Sequence, residues 1–187
     1  MNTIPNQPTK GTGILVGVLS WCFNTRKMRE EFAEKELFPL LCPVIKLTRK
    51  IMGDCSQVQG IINPSLVINI SKQISEQLSP TAAEAGCYNQ VMTVKLFGPE
   101  FDKKIQELLD ICLQIDCSSA PGAPNNQIKK FEIEPLCRKA EELWGQIVEM
   151  YLKKVCVLGW LEKKNRKDQI EIRIKQSVAR VPDWNNL

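Results

Sequence analysis

From Phe101 onward the apolar side chains Phe101, Ile105, Leu108, Cys112 and Ile115 recur at spacings of four, three, four and three. Only a helix gathers such positions into one line, because 3.6 residues per turn brings residues three and four apart onto one face. Glu100 and Asp102 open this run, where the helix dipole favours negative charge. The same period links Val67, Ile70, Ile74 and Leu78. It returns in Leu136, Ala140, Leu143, Ile147 and Tyr151, a stripe widened by Trp144, Val148 and Leu152. A weaker line joins Cys87, Val91 and Val94. Stripes of this kind face a core, so the expected fold is all-α, a single-domain helical bundle of about six to eight helices.

Proline marks where these helices begin. Its missing N–H costs nothing in a first turn. Asn63-Pro64, Ser79-Pro80, Gly98-Pro99 and Glu134-Pro135 each precede an apolar run. Between Arg26 and Met52, Pro39 and Pro43 predict two helices with a tight connection, and Gly53 is the expected stop. The small, polar stretch Cys117–Asn126 predicts a loop. The bundle is therefore expected over residues 14–181 with a loop at 117–126, between a flexible N-terminal tail (1–13) and a C-terminal tail (182–187) carrying Trp184. Ile14–Phe23 is too short to span a bilayer and reads as a buried first helix. In Asp168–Lys175, Ile170, Ile172 and Ile174 alternate like a strand, whereas Ile170, Ile174 and Val178 repeat like a helix. A lone strand would have nothing to pair with, so helix is expected.

The residue inventory narrows the chemistry. The chain has eight cysteines and no histidine. Cys22, Cys42, Cys55, Cys87, Cys112, Cys117, Cys137 and Cys156 include no Cys-x-x-Cys pair, and zinc sites draw on such pairs or on Cys/His clusters. Without histidine, a serine or cysteine nucleophile lacks its usual base. Gly11-Thr12-Gly13 is too short for a phosphate loop and has no following Lys-Ser/Thr. Glu30/Glu31 and Glu141/Glu142 lie within charged helix faces. The expectation is a cytoplasmic protein without catalytic activity, metal, cofactor or membrane contact, whose reduced cysteines pack as small hydrophobes.

Charge placement points to binding. Residues 26–50 carry seven basic against four acidic side chains, 153–187 nine against four, and 51–152 eight against thirteen. Basic ends around an acidic middle suit an anionic partner, although solubilising Lys and Arg on exposed helices would look the same. The densest cluster is Lys163, Lys164, Arg166, Lys167, Arg173, Lys175 and Arg180. On a helix, Arg166, Arg173 and Arg180 fall on nearly one face and form a ridge about 20 Å long, able to follow a phosphate backbone without reading bases. Trp160 and Trp184 flank it and are open to stacking on bases, with burial the expected fate of Trp160. Arg26, Lys27 and Arg29 form a second cluster; Lys46, Arg49 and Lys50 end the next helix, where the dipole favours cations. A basic helix also suits an acidic protein surface or an anionic membrane.

The stretch FNTRKMREEFAEKELF, Phe23–Phe38, contains a Met-Arg-x-x-Phe-Ala pattern. It resembles the start of the helical domain in small subunits of type I CRISPR surveillance (Cascade) complexes, type I-D-like. The resemblance implies a non-catalytic antiviral-defence subunit of a ribonucleoprotein complex, with copies stacked along a guide-RNA filament and beside other subunits. Its basic surface would hold target DNA, including the displaced strand, while guide pairing supplies specificity. The acidic middle would serve contacts between subunits. The residues leave a second reading open, a helical adaptor or self-assembling structural protein whose apolar stripes include an interface for a protein partner.

Overall fold

Helix accounts for nearly every residue that the computed structural model describes, namely 10–57, 64–119, 130–156 and 160–178, and no strand occurs among them. α1 (Lys10–Phe32) runs through a π turn (Ala33–Leu37) straight into α2 (Phe38–Gln57). α3 (Pro64–Gln73) runs through a second π turn (Ile74–Leu78) into α4 (Ser79–Gly86). α5 (Gln90–Phe97), α6 (Pro99–Ser119), α7 (Lys130–Val155) and α8 (Trp160–Gln176) complete six continuous rods. The bundle expected from the stripes is present, and Asp168–Lys175 is helical.

Several boundaries differ from expectation, and proline explains most of them. Pro64 and Pro99 do begin helices, but Pro80 lies within the continuous α3–α4 rod and Pro135 lies inside α7. Pro39 and Pro43 likewise sit within α2, and the expected break between two helices is absent. Each π turn ends two residues before a proline, at Leu37 ahead of Pro39 and at Leu78 ahead of Pro80. The Phe38 N–H reaches back five residues to the Ala33 carbonyl, and the Ser79 N–H to the Ile74 carbonyl. A proline ring normally collides with the carbonyl four residues back, and the wider turn relieves that collision. The Ser79 hydroxyl adds a 2.9 Å bond to the same Ile74 carbonyl. Gly53 does not stop α2, which continues to Gln57. α1 already begins at Lys10, inside the expected tail, and α6 continues to Ser119, inside the expected loop. The rest of that loop and the C-terminal tail with Trp184 lie outside the described residues.

α6 and α7 form the central pair; α2 packs on α7, α4 and α5 cover α6, and α8 lies on α2 and α7. The stripe Phe101, Ile105, Leu108, Cys112 and Ile115 is buried throughout, facing Ala140, Leu143, Ile147 and Tyr151 of α7. Aromatic rings join the elements. Phe97 stacks on Phe101 with centroids 4.6 Å apart, and Phe38 meets Tyr151 edge-on at 5.1 Å. The weak stripe does not hold: Cys87 and Val91 are exposed, and α5 instead buries Thr93, Leu96 and Phe97. The reason is a missed start. The Asn89 side chain accepts the Met92 N–H at 3.1 Å, which restarts the helix on a new face. At the other end Gly98, with φ of +96°, turns the chain directly into α6.

Candidate nucleic-acid interface

α8 is anchored by two isoleucines. Ile170 and Ile174, one turn apart, are its buried residues and fix which way every other side chain points. Arg166 and Arg173 fall on one flank of that line, toward α1 and the π turn that follows it. The Arg166 guanidinium lies 2.8 Å from Glu30 and 3.5 Å from Glu162. Arg26 of α1 closes the group, 2.7 Å from Glu30 and paired directly with Glu162. Further along, Arg173 pairs with Glu34 at 3.2 Å. Two arginines and two carboxylates thus form a neutral cluster between α1 and α8. Hydrogen bonding to Glu30 raises the Arg26 pKa against the opposing effect of burial. For Arg166 burial works downward, and Glu30 together with its other neighbours outweighs it, so its pKa is also raised.

The expected arginine ridge is therefore a seam. Its face turns inward because Arg166 and Arg173 lie within about a sixth of a turn of the Ile170–Ile174 line. Arg180 lies outside the described residues. Arg29 also turns inward, donating to the Leu96 carbonyl at 2.7 Å and the Lys154 carbonyl at 3.4 Å. Lys27 remains exposed, with Glu31 3.8 Å away.

The opposite flank carries a different basic surface. Trp160, Lys164, Lys167, Glu171 and Lys175 follow at spacings of four, three, four and four, roughly 150° around the helix from the arginines. Trp160 is 69% exposed, contrary to the burial expected for it. Lys164, Lys167 and Lys175 are all exposed, and none has an ion pair among the described residues; Lys163, nearer the isoleucine line, is half-buried. The one acid in the stripe is already matched. Arg49 of α2 grips Glu171 through contacts of 2.7 and 3.1 Å, and Glu141 of α7 through contacts of 2.6 and 2.9 Å. Hydrogen bonding to Arg49 holds the Glu171 pKa below its usual value. Lys46 of α2 reaches the last turn of α8, donating to the Lys175 and Ser177 carbonyls at 2.9 and 2.5 Å.

The thiols offer no competing site in the core. Burial pushes Cys42, Cys112 and Cys137 up to about 12, far from the thiolate that nucleophilic or metal chemistry needs. Cys22 and Cys87 are exposed, so not every cysteine packs as a core residue, and the Cys117 side chain lies outside the described residues. No helix among the described residues is long and apolar enough to cross a membrane. No family model, curated protein or solved structure matches the chain.

Proposed function

We propose that this chain is a non-catalytic, nucleic-acid-contacting subunit that holds a single-stranded backbone along the Trp160–Lys175 stripe of α8. The observation that carries this reading is the exposed Trp160 at the head of three exposed lysines on one helix flank. An exposed ring gives a base a surface to stack on, worth about 1–3 kcal/mol, while lysines displace counterions from the phosphates. Nothing in the stripe reads base edges, so specificity has to come from elsewhere. Three lysines make a weak site alone and a useful one when repeated in an assembly.

The resemblance at Phe23–Phe38 names such an assembly, an RNA-guided CRISPR surveillance complex in which base pairing selects the target. That stretch supplies Arg26, Glu30 and Glu34, the three α1 and π-turn side chains that pair with α8. Its spacing thus serves to seat the helix that bears the stripe.

The test is binding of a labelled single-stranded oligonucleotide followed by anisotropy. Trp160→Ala and the triple variant Lys164→Glu, Lys167→Glu, Lys175→Glu should each weaken binding about tenfold or more. Unchanged binding in both would remove the stripe from consideration. The second reading, a helical adaptor for a protein partner, draws on the exposed Trp21 and Phe23 of α1. Co-purification from the native host with and without nuclease separates the two, since a protein-only complex survives nuclease.

A further inference from the structure

α8 has little apolar hold on the bundle. Two of its 17 residues, Ile170 and Ile174, are buried, and nine of the others are charged. By contrast, α7 buries Leu143, Trp144, Ile147, Val148, Tyr151 and Leu152 within ten residues. Ring contacts among Phe32, Phe38, Phe97, Phe101, Trp144 and Tyr151 join α1, α2, α5, α6 and α7. α8 adds no ring to that set, because its one aromatic residue, Trp160, is exposed.

Charge supplies the rest of the attachment. Four ion pairs among the described residues cross from α8 to one continuous rod, α1 with its π turn and α2. Glu162 pairs with Arg26, Arg166 with Glu30 at 2.8 Å, Arg173 with Glu34 at 3.2 Å, and Glu171 with Arg49 at 2.7 Å. Lys46 of the same rod caps the end of α8 through the Lys175 and Ser177 carbonyls. The paired side chains are between 16% and 43% exposed, so water and salt reach them.

We propose that α8 is a salt-releasable strap, which leaves and rejoins the α1–α2 rod as a unit while the remaining helices stay packed. The ring set and the α6–α7 core do not pass through α8, so its departure leaves them whole. Units held by few apolar contacts open at lower free energy than the core. Raising salt from about 0.1 M to 1 M shortens the Debye length from about 10 Å to about 3 Å, which weakens the four pairs and spares the two isoleucines. Once released, a helix of 17 residues with no alanine is marginal in water, and its amides exchange with solvent. The strap is a property of how α8 is docked and stands whether or not the lysine stripe binds nucleic acid.

The experiment is hydrogen exchange of the full chain at constant pH, followed by mass spectrometry of peptides from α6, α7 and α8. At about 0.1 M sodium chloride, α8 should exchange at least tenfold faster than the centres of α6 and α7. At about 1 M its exchange should speed a further tenfold or so, with α6 and α7 changing by less than about threefold. Glu34→Gln removes the partner of Arg173 and should speed α8 about threefold at low salt, an advantage that disappears at about 1 M. Exchange of α8 in step with α6 and α7 at both salts overturns the proposal, because the helix then leaves only when the whole bundle unfolds. Fast exchange of α8 that neither salt nor Glu34→Gln alters also overturns it, because charge then does not hold the strap.

Discussion

Replacing Arg166 by Ala distinguishes a structural arginine from a surface one. The native side chain is 20% exposed, and its partners Glu30 and Glu162 are 24% and 16% exposed. The substitution leaves both carboxylates sharing Arg26, half-covered and with one cation between them. Hydrogen bonds to charged groups are worth about 1.5–3 kcal/mol, and partial exposure screens the charge, so the loss should be about 2 kcal/mol. For a chain of this size, each kcal/mol moves the melting temperature by roughly 2–4 °C, giving a drop of about 4–8 °C. Lys164→Ala, on the other flank of the same helix, should stay within about 0.5 kcal/mol of the native chain. Thermal denaturation followed by circular dichroism measures both. A double-mutant cycle with Glu30→Gln then assigns the loss to the pair rather than to packing of the arginine stem. If Arg166→Ala melts with Lys164→Ala, the seam between α1 and α8 is wrong. The sequence-based ridge then returns as the better description.

Other consequences follow from the core and from Arg49. Leu108→Ala, in the fully buried α6 stripe, should cost about 2–5 kcal/mol in chemical denaturation. In native protein at neutral pH, an aromatic disulfide reagent should label Cys22 and Cys87 rapidly, whereas Cys42, Cys112 and Cys137 should react only after denaturation. Glu171 is held below the usual carboxylate value of 4.5, so its pairing with Arg49 stabilises the fold above that pH and fades as pH falls through the lowered value. Arg49→Met should therefore be less stable than the native chain at pH 7, and the gap should narrow below about pH 4.5, as melting curves across that range would show.

The helices were legible because burial leaves a period in the sequence. Phe101 through Ile115 and Leu136 through Tyr151 declared their faces by spacing alone, and those faces are the core. The prolines misled because their local meaning, a break or a start, depends on the turn before them. A π turn leaves no signature in residue type, and Ala33–Leu37 carries Pro39 through a helix that propensity would have ended. The arginine ridge failed for a different reason. Spacing of seven places Arg166 and Arg173 on one face but does not say where that face points. A signal was present, since Ile170 and Ile174 lie beside them on the helix, and an apolar pair decides which side faces inward. The acidic partners Glu30 and Glu34 come from more than 130 residues earlier in the chain, a separation no local pattern bridges. Trp160 went unrecognised as exposed because a large aromatic is ordinarily buried.

The central claim is that the lysine flank of α8, not its arginine flank, meets nucleic acid. The salt dependence of single-strand binding tests it most directly. Three lysines releasing counterions predict a slope of log K against log salt of about −2. That slope should fall toward zero when Lys164, Lys167 and Lys175 are reversed, and should be retained in Arg166→Ala. A native slope that survives the lysine reversals, or one abolished by Arg166→Ala in a folded protein, would contradict the account.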